Sequence, residues 1–227
     1  NAVAPGVLAE EARTLDAWLV HYSTDYVFDG RGSQPWSEDD ATGPLNVYGA
    51  TKLAGEHAVR DADVRHLIFR TSWVYAATGG NFLRTMLRLA RERDALDVVD
   101  DQIGAPASAD LIADVTAHAI RSVVGDRAAT DAGSRAGTYH LAPRGETSWF
   151  GYACHLIETA RSLGLAVRVA PDAIRPVSSS AFPTAAQRPH NSRLRVDRLE
   201  RTFALRMPHW DTAVTALVRQ IGESPLD

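Results

Sequence analysis

The sequence contains a single cysteine, Cys154, so an internal disulfide framework is excluded and a reducing compartment is favoured. No apolar run approaches the ~20 residues of a membrane span, and no charged-then-apolar leader begins at Asn1. The net charge of −4 argues against a general nucleic-acid surface. The eight histidines are scattered and no CxxC or HExxH spacing occurs, so no metal site is predicted. These absences predict a cytoplasmic protein that binds neither nucleic acid nor membranes.

The sequence also lacks the glycine-rich fingerprint of dinucleotide-binding proteins, GxGxxG or GxxGxxG. That turn binds a pyrophosphate through backbone N–H groups and a helix N-terminus. Two closely spaced glycine pairs are present, Gly30 with Gly32 and Gly79 with Gly80, but neither follows a predicted strand in the required way. The chain by itself is therefore expected to bind a dinucleotide weakly.

What the sequence does contain is Tyr48 followed four residues later by Lys52. On a helix these side chains share one face, one turn apart. An ammonium beside a phenol lowers the pKa of the phenol from about 10, so the tyrosine can exchange a proton near neutral pH. Ser23 and Thr24 stand where a short apolar strand is predicted to end, and hydroxyls there can hydrogen-bond a substrate oxygen. Tyrosine and lysine also occur at this spacing by chance, so the surrounding motifs decide between chemistry and coincidence.

Those motifs are specific. Five segments follow one another along the chain: His21–Phe28 (HYSTDYVF), Pro44–Glu56 (PLNVYGATKLAGE), Phe69–Tyr75 (FRTSWVY), Asp101–Pro106 (DQIGAP) and Arg188–Leu194 (RPHNSRL). In this order and at this spacing they resemble the dTDP-4-dehydrorhamnose reductase family of the short-chain dehydrogenase/reductase superfamily. The resemblance extends from Ala4 to about Ile221.

The resemblance implies an NADPH-dependent oxidoreductase that reduces the 4-keto group of dTDP-4-dehydro-L-rhamnose to give dTDP-L-rhamnose; NADH is a second candidate cofactor. It implies three catalytic residues. Tyr48 donates the proton, Lys52 lowers the pKa of Tyr48 and holds the nicotinamide ribose, and Thr24 hydrogen-bonds the keto oxygen. An exposed helix pair and a turn hydroxyl are the structural alternatives for these residues.

The resemblance also implies two sets of binding residues. The cofactor set is Ser23, Tyr48, Lys52, Thr71 and Ser72. The substrate set is Thr24, Asp25, Trp73, Gln102, Arg188 and Asn191. Arginine suits the substrate pyrophosphate because a guanidinium makes bidentate, charge-assisted hydrogen bonds. For Asp25, Trp73, Gln102 and Arg188 the structural alternatives are a turn, core packing, a structural loop and an ordinary surface residue.

Some members of the family are magnesium-linked dimers. Asp110 and Asp211 fall near the positions of the carboxylates involved, but aspartate replaces glutamate at both. The metal is therefore not predicted, and a homodimer is left open.

Apolar segments of strand length alternate with amphipathic segments of helical length, which predicts an α/β fold with a mostly parallel sheet. The fold class expected is the C-terminal portion of a Rossmann-type doubly wound sheet, residues 1–137, with a smaller α/β substrate-binding subdomain, residues 138–227. A linker is predicted at Gly125–Ala136 and a strand at Ala166–Val169, before an irregular Pro- and Ser-rich stretch. Ligands bind beyond the carboxyl ends of the strands in such folds.

In the family, the glycine-rich turn lies on the first βα unit. About three such units, roughly 75–90 residues at ~30 per βαβ element, are therefore expected to be absent here. The 227-residue chain alone is expected to be inactive and to carry an unpaired strand edge.

Two other functions are compatible with much of the pattern. An epimerase or dehydratase of another nucleotide sugar shares the threonine, tyrosine and lysine, but dehydratases usually place an Asp-Glu pair after the threonine, where this chain has Asp25 and Tyr26. A non-catalytic relative, similar to the regulatory β-subunit of methionine adenosyltransferase, would be a binding module. Capture of a synthetase partner without reductase activity would favour that alternative.

Overall fold

The computed structural model describes residues 1–124 and 135–223. Its described residues fall into two compact units that interleave along the chain. Unit 1 is drawn from Asn1–Ser72, Ile112–Ala142 and Ala185–Met207, and unit 2 from Trp73–Leu111, Pro143–Thr184 and Pro208–Asp227. The functional division into a dinucleotide-binding and a substrate-binding domain stays a prediction. None of the described helices has the length and apolar character needed to span a bilayer.

The described chain contains these helices and strands in order: α1 Val3–Thr14, β1 Leu19–Thr24, α2 Val47–Asp61, β2 His66–Thr71, α3 Phe82–Glu92, β3 Leu96–Val99, β4 Ile103–Gly104, α4 Ala109–Val124, β5 Gly137–His140, β6 Thr147–Ser148, α5 Trp149–Ser162, β7 Ile174–Val177, α6 Asp197–Phe203 and α7 Trp210–Glu223. Strands and helices alternate as the sequence predicts, and the expected α/β class is confirmed.

Unit 1 is built on a parallel three-stranded sheet in the order β1-β2-β5. Strand β2 lies in the middle and is buried from its second residue onward, as its run of apolar side chains requires. Helices α1 and α2 pack on each other and on β1, with Ala9, Val59 and Ile68 in a core between them. The parallel pairing places the carboxyl ends of all three strands at one edge of the sheet.

Unit 2 has a large apolar core, to which α3, α5 and α7 contribute most of the side chains. Helix α3 begins after Asn81, which is its N-cap: the side-chain oxygen accepts the Arg84 N–H at 3.1 Å. The short strands pair as β3 with β7, parallel, and β4 with β6, antiparallel.

The prediction of a strand at Ala166–Val169 is wrong. The Arg168 and Val169 N–H groups both donate to the Ala90 carbonyl, at 2.8 and 3.1 Å, so this stretch is bonded to the C-terminal part of α3. Strand β7, Ile174–Val177, forms instead within the stretch expected to be irregular. The proline at its third position argues against a strand at the sequence level, because proline has no N–H for the ladder and is found mainly in edge strands. The predicted linker at Gly125–Ala136 lies mostly outside the described residues.

Candidate active site

The carboxyl ends of β1 and β2 bring five of the predicted site residues together in unit 1. Thr24 and Thr71 are register partners across the parallel pair, so Ser23, Asp25 and Ser72 flank the same edge of the sheet. All five side chains are buried. Ser23, Thr24 and Thr71 were expected just beyond the strands but are the last strand residues. Their backbone is therefore fixed by the sheet, which makes their position more rigid than a loop would.

Helix α2 delivers Tyr48 and Lys52 to this edge. Its N-cap is Asn46, whose Oδ1 accepts the Gly49 N–H at 2.9 Å. Gly49 is needed for close approach, because a Cβ built on it would lie 2.2 Å from the main-chain oxygen of Tyr26. The helix can therefore meet the short 3-10 turn after β1 nearly backbone to backbone. The first turn of α2, with Tyr48, is in this way held against the residues that follow Thr24.

The Tyr48 phenol is half exposed and interacts with two groups from that turn. Its ring packs edge-on against Tyr26, with centroids 5.7 Å apart at 79°. Partial burial raises the pKa of Tyr48 above its ordinary value of 10.0, the nearby Thr24 hydroxyl opposes this rise, and the Asp25 carboxylate adds to it. The expectation that the pKa would be lowered is therefore wrong for this structure, in which Tyr48 rests as a protonated phenol.

The ammonium group of Lys52 is bonded to the backbone of strand β1. Nζ donates to the main-chain carbonyl of Tyr22 in β1, two residues before Thr24. Partial burial lowers the pKa of Lys52, and the Glu56 carboxylate one turn further along α2 opposes that shift. An ammonium carries three N–H donors, so two remain to bind another group. The lysine is anchored beside the strand end while keeping hydrogen-bonding capacity for a ligand.

A buried ion pair ties α2 to the central strand. Arg70 donates to both oxygens of Glu56, at 2.9 Å from Nε and 2.7 Å from Nη2, and neither side chain is more than 4% exposed. Burial disfavours the charged form of Glu56, but Arg70, Ser23 and Arg60 outweigh that effect and hold the pKa of Glu56 below its ordinary value. Sequence reasoning missed this pair. A glutamate on the buried side of an otherwise apolar helix face was the signal available, but its partner could not be identified.

Asp25 is fully buried behind Thr24. The Thr24 hydroxyl donates to Oδ1 of Asp25 at 3.1 Å and accepts the Tyr26 N–H at 3.2 Å. Burial raises the pKa of Asp25 to about 6, although hydrogen bonds from Ser192 and Thr24 act in the opposite direction. A hydroxyl has one hydrogen to donate, so an ionised Asp25 takes the hydrogen of Thr24. Protonation of Asp25 releases that hydrogen for another acceptor.

The segment with Arg188 and Asn191 also belongs to unit 1, but its two predicted site residues differ. Arg188 is exposed. Burial raises the pKa of Tyr26, the ring that packs on Tyr48, and the charge of Arg188 opposes this rise, so Arg188 lies near these two rings. Asn46 helps to locate it, since Nδ2 of this cap donates to the Gln187 carbonyl at 2.8 Å. Asn191 is buried and its amide donates to two loop carbonyls, at 3.2 and 2.9 Å. Its side chain holds the loop together rather than pointing to an open surface.

Trp73 and Gln102 lie in unit 2. The Trp73 indole stacks on Trp149 with centroids 3.8 Å apart at 15°. Gln102 is buried, and both ends of its amide are engaged: Oε1 accepts from the Trp149 indole at 3.1 Å, and Nε2 donates to Ser179 at 2.9 Å. Sequence reasoning did not single out Trp149. It lies at the start of a helix, 76 residues from Trp73, and nothing in its local pattern separates it from a core aromatic.

Metal ligation has no geometric support in the described chain, where no three His, Cys, Asp or Glu side chains group as a metal site. Asp110 and Asp211 stand in the first turns of α4 and α7. The N-terminal turn of a helix favours an acidic side chain in any case.

A phenol and an ammonium one helical turn apart, next to a threonine hydroxyl at the end of a parallel strand, define an oxidoreductase of the short-chain dehydrogenase/reductase class. A family model described as the RmlD substrate binding domain matches residues 1–222. The dTDP-4-dehydrorhamnose reductase of Escherichia coli strain K12 is 49% identical over 221 residues, which cover 97% of this chain and 71% of that protein. The reductase of the same name from Burkholderia thailandensis is 46% identical over 97% of this chain and 74% of its own.

Solved structures agree. A dTDP-4-dehydrorhamnose reductase from Clostridium acetobutylicum superposes with a TM-score of 0.86 at 32% identity, covering 98% of this chain and 72% of that one. One from Bacillus anthracis, in complex with NADP, gives 0.82 at 34% identity over 97% and 72% of the two chains. A dTDP-glucose 4,6-dehydratase from Streptomyces venezuelae, at 19% identity and a TM-score of 0.73, shares the fold. The chain belongs to the dTDP-4-dehydrorhamnose reductase family.

Proposed function

We propose that this protein reduces the 4-keto group of dTDP-4-dehydro-L-rhamnose with NADPH, giving dTDP-L-rhamnose. The observation that carries the proposal is the arrangement in unit 1, where α2 packs Tyr48 against Tyr26, two residues after Thr24, and Lys52 is bonded to β1 two residues before Thr24. Chains with 49% identity across nearly all of this one carry the name of that activity.

Tyr48 is the proton donor to the keto oxygen. Burial raises its pKa, so the phenol is protonated at neutral pH and has a proton to give. Thr24 supplies a second hydrogen bond to the same oxygen. Its hydrogen is committed to Asp25 while that carboxyl is ionised, so Thr24 becomes a donor to substrate when Asp25 holds a proton or when the hydroxyl rotates.

The nicotinamide side of NADPH fits the residues around Lys52. The two free N–H donors of Lys52 suit the paired hydroxyls of a ribose, and the Tyr22 carbonyl fixes the third. Ser23, Thr71 and Ser72 lie at the adjoining strand ends, where ligands of parallel sheets bind. When bound, NADPH supplies a hydride for the ketone carbon. NADH carries the same nicotinamide and ribose, so these residues would bind it equally well. The preference between NADPH and NADH is therefore decided by other residues.

The substrate side is assigned to three residues. Asp25 acts through Thr24, because its carboxylate is buried and holds that hydroxyl. Exposed Arg188 is available for the pyrophosphate of the dTDP group, which a guanidinium binds through paired hydrogen bonds. Trp73 offers a partly exposed indole for the sugar ring. Gln102 and Asn191 receive structural roles, since their amides bond to protein groups.

The test is NADPH oxidation by the full-length protein with dTDP-4-dehydro-L-rhamnose as substrate. Turnover that falls by about 10²-fold or more in Tyr48→Phe is the expected result, because general acid catalysis contributes about that much. Val47→Ala, an exposed neighbour on the same helix turn, is the matched control. A wild-type protein without turnover would contradict the function. Capture of a synthetase partner by that inactive protein would then favour the regulatory alternative.

A further inference from the structure

Trp73 has an unusual backbone. Its φ is +48°, in the left-handed region that bulky side chains rarely adopt. Two backbone hydrogen bonds to Ala107 restrain this conformation. The Trp73 carbonyl accepts the Ala107 N–H at 3.3 Å, and the Tyr75 N–H donates to the Ala107 carbonyl at 3.0 Å. Backbone strain of this kind persists where the surroundings over-determine it, and it clusters at functional sites. A partly exposed tryptophan in a strained conformation therefore needs an explanation beyond core packing.

Trp149 covers one face of that indole. The two rings are nearly parallel and 3.8 Å apart, and Phe82 packs on Trp149 with centroids 4.6 Å apart. Trp73 is partly exposed, and the face that stacks on Trp149 is covered, so its exposed area lies elsewhere on the ring. An indole face is a good surface for the C–H groups of a sugar ring, and its position is set by the ring beneath it.

Trp149 is itself fixed by a chain of polar contacts. Its indole N–H donates to Gln102 at 3.1 Å, and Gln102 donates to Ser179 at 2.9 Å. Ser179 is bonded in turn, through its N–H and its hydroxyl, to the Asp101 carboxylate. The start of α5 is held as well, because the N-cap Ser148 accepts the Gly151 N–H at 2.9 Å. An indole held at its nitrogen, its backbone and one face has little freedom to turn.

We propose that Trp149 is a positioning residue: its indole, oriented by Gln102, holds the Trp73 indole as the ring on which the sugar of the nucleotide-sugar substrate rests. The inference rests on the proposed function for its substrate, and on unit 2 alone for its geometry. It gives Gln102 a defined task, which is to orient Trp149 rather than to contact the sugar. It also predicts that substitutions at Trp149 act on substrate affinity and leave the proton transfer by Tyr48 intact.

The test uses the full-length protein with Trp149→Phe and Trp149→Ala, read out by circular dichroism and by steady-state kinetics. Two stacked indoles give an exciton couplet, which both variants should lose. Trp149→Ala should raise KM for the sugar nucleotide by about 2- to 10-fold, the range for one aromatic pair, with kcat within about twofold of wild type. Trp149→Phe keeps a ring beneath Trp73 but loses the N–H that Gln102 holds, so its KM should lie between those of wild type and Trp149→Ala. Trp210 is a buried indole of the same unit whose ring contacts are with Tyr152, His155 and His209, so Trp210→Phe should keep both the couplet and the KM.

A double-mutant cycle separates orientation from general damage. Gln102→Leu should raise KM in the wild-type background and have no further effect in Trp149→Phe, which has no indole N–H to orient. An unchanged couplet in Trp149→Ala, an unchanged KM, or additive effects of the two substitutions would each overturn the proposal. A wild-type protein without turnover would overturn the proposed function instead, while the couplet still decides whether Trp149 holds Trp73.

Discussion

Gly49→Ala provides the sharpest test of how the Tyr48 site is assembled. A Cβ at position 49 would lie 2.2 Å from the Tyr26 carbonyl oxygen and 3.0 Å from Cβ of Pro44. Contacts below 3.0 Å are essentially never found, so helix and turn must separate by at least about 0.8 Å. Both neighbours are backbone or ring atoms and cannot rotate out of the way.

That separation acts directly on the chemistry. Tyr48 precedes Gly49 on the helix, and Thr24 precedes Tyr26 by two residues on the other side of the contact. Movement of either side therefore increases the distance between the Tyr48 phenol and the Thr24 hydroxyl. Displacement of a reacting group by about 1 Å can cost about 10²-fold in rate, and we expect kcat to fall by roughly 10- to 100-fold. Stability should fall by about 1–3 kcal/mol, as in overpacked sites.

The sign of the stability change makes the prediction discriminating. On helix propensity alone, glycine to alanine stabilises a helix, by up to about 1 kcal/mol in its interior. NADPH oxidation and thermal unfolding of the full-length protein measure the two effects. Gly80→Ala is the matched control, because a Cβ there meets nothing within 4 Å. A Gly49→Ala protein with wild-type kcat and an equal or higher Tm would refute the close-approach argument.

Three further predictions concern charged groups. Lys52→Ala should raise KM for NADPH by about 10- to 100-fold, since a charge-assisted hydrogen bond contributes about 1.5–3 kcal/mol; an unchanged cofactor KM would contradict the ribose assignment. Asp25 has a pKa of about 6 in the fold against 3.8 unfolded, so its contribution to stability is present at low pH and is lost as pH rises through 6. In urea unfolding, Asp25→Asn should therefore gain about 2 kcal/mol on wild type between pH 4 and pH 7, and a constant difference across that range would be inconsistent with the raised pKa. Arg188→Ala should raise KM for the sugar nucleotide by about 10- to 100-fold with little change in kcat; an unchanged KM would return Arg188 to the ordinary surface.

Local sequence was sufficient for the elements that carry the reactive side chains. The spacing of Tyr48 and Lys52 on one helix face and the alternation of strands with helices both follow from interactions within a few residues. Parallel pairing then follows from the alternation, and with it the meeting of Thr24 and Thr71 at one sheet edge. The sequence therefore predicted both the fold class and the core of the candidate site.

Local sequence failed where a partner far along the chain decided the outcome. Residues 166–169 have the apolar character of a strand, yet their N–H groups bond to Ala90, and Ile174–Val177 pairs with β3 despite its proline. The expected lowering of the Tyr48 pKa failed for a similar reason. Helical spacing brings Lys52 near Tyr48, but the ammonium bonds to a carbonyl of β1, and burial of the phenol determines the direction of the pKa shift.

What the sequence alone determined is which residues stand on which element, because periodicity, capping and strand length are properties of short segments. What the tertiary structure decided is what those residues touch. The Glu56 carboxylate meets Arg70, Trp73 meets Trp149, and the backbone at Gly49 meets Tyr26. Each of these contacts joins separate elements of the chain, and each depends on the distance between two packed surfaces. The free energy of that packing is a sum over all the groups buried together, and no local segment of the sequence contains it.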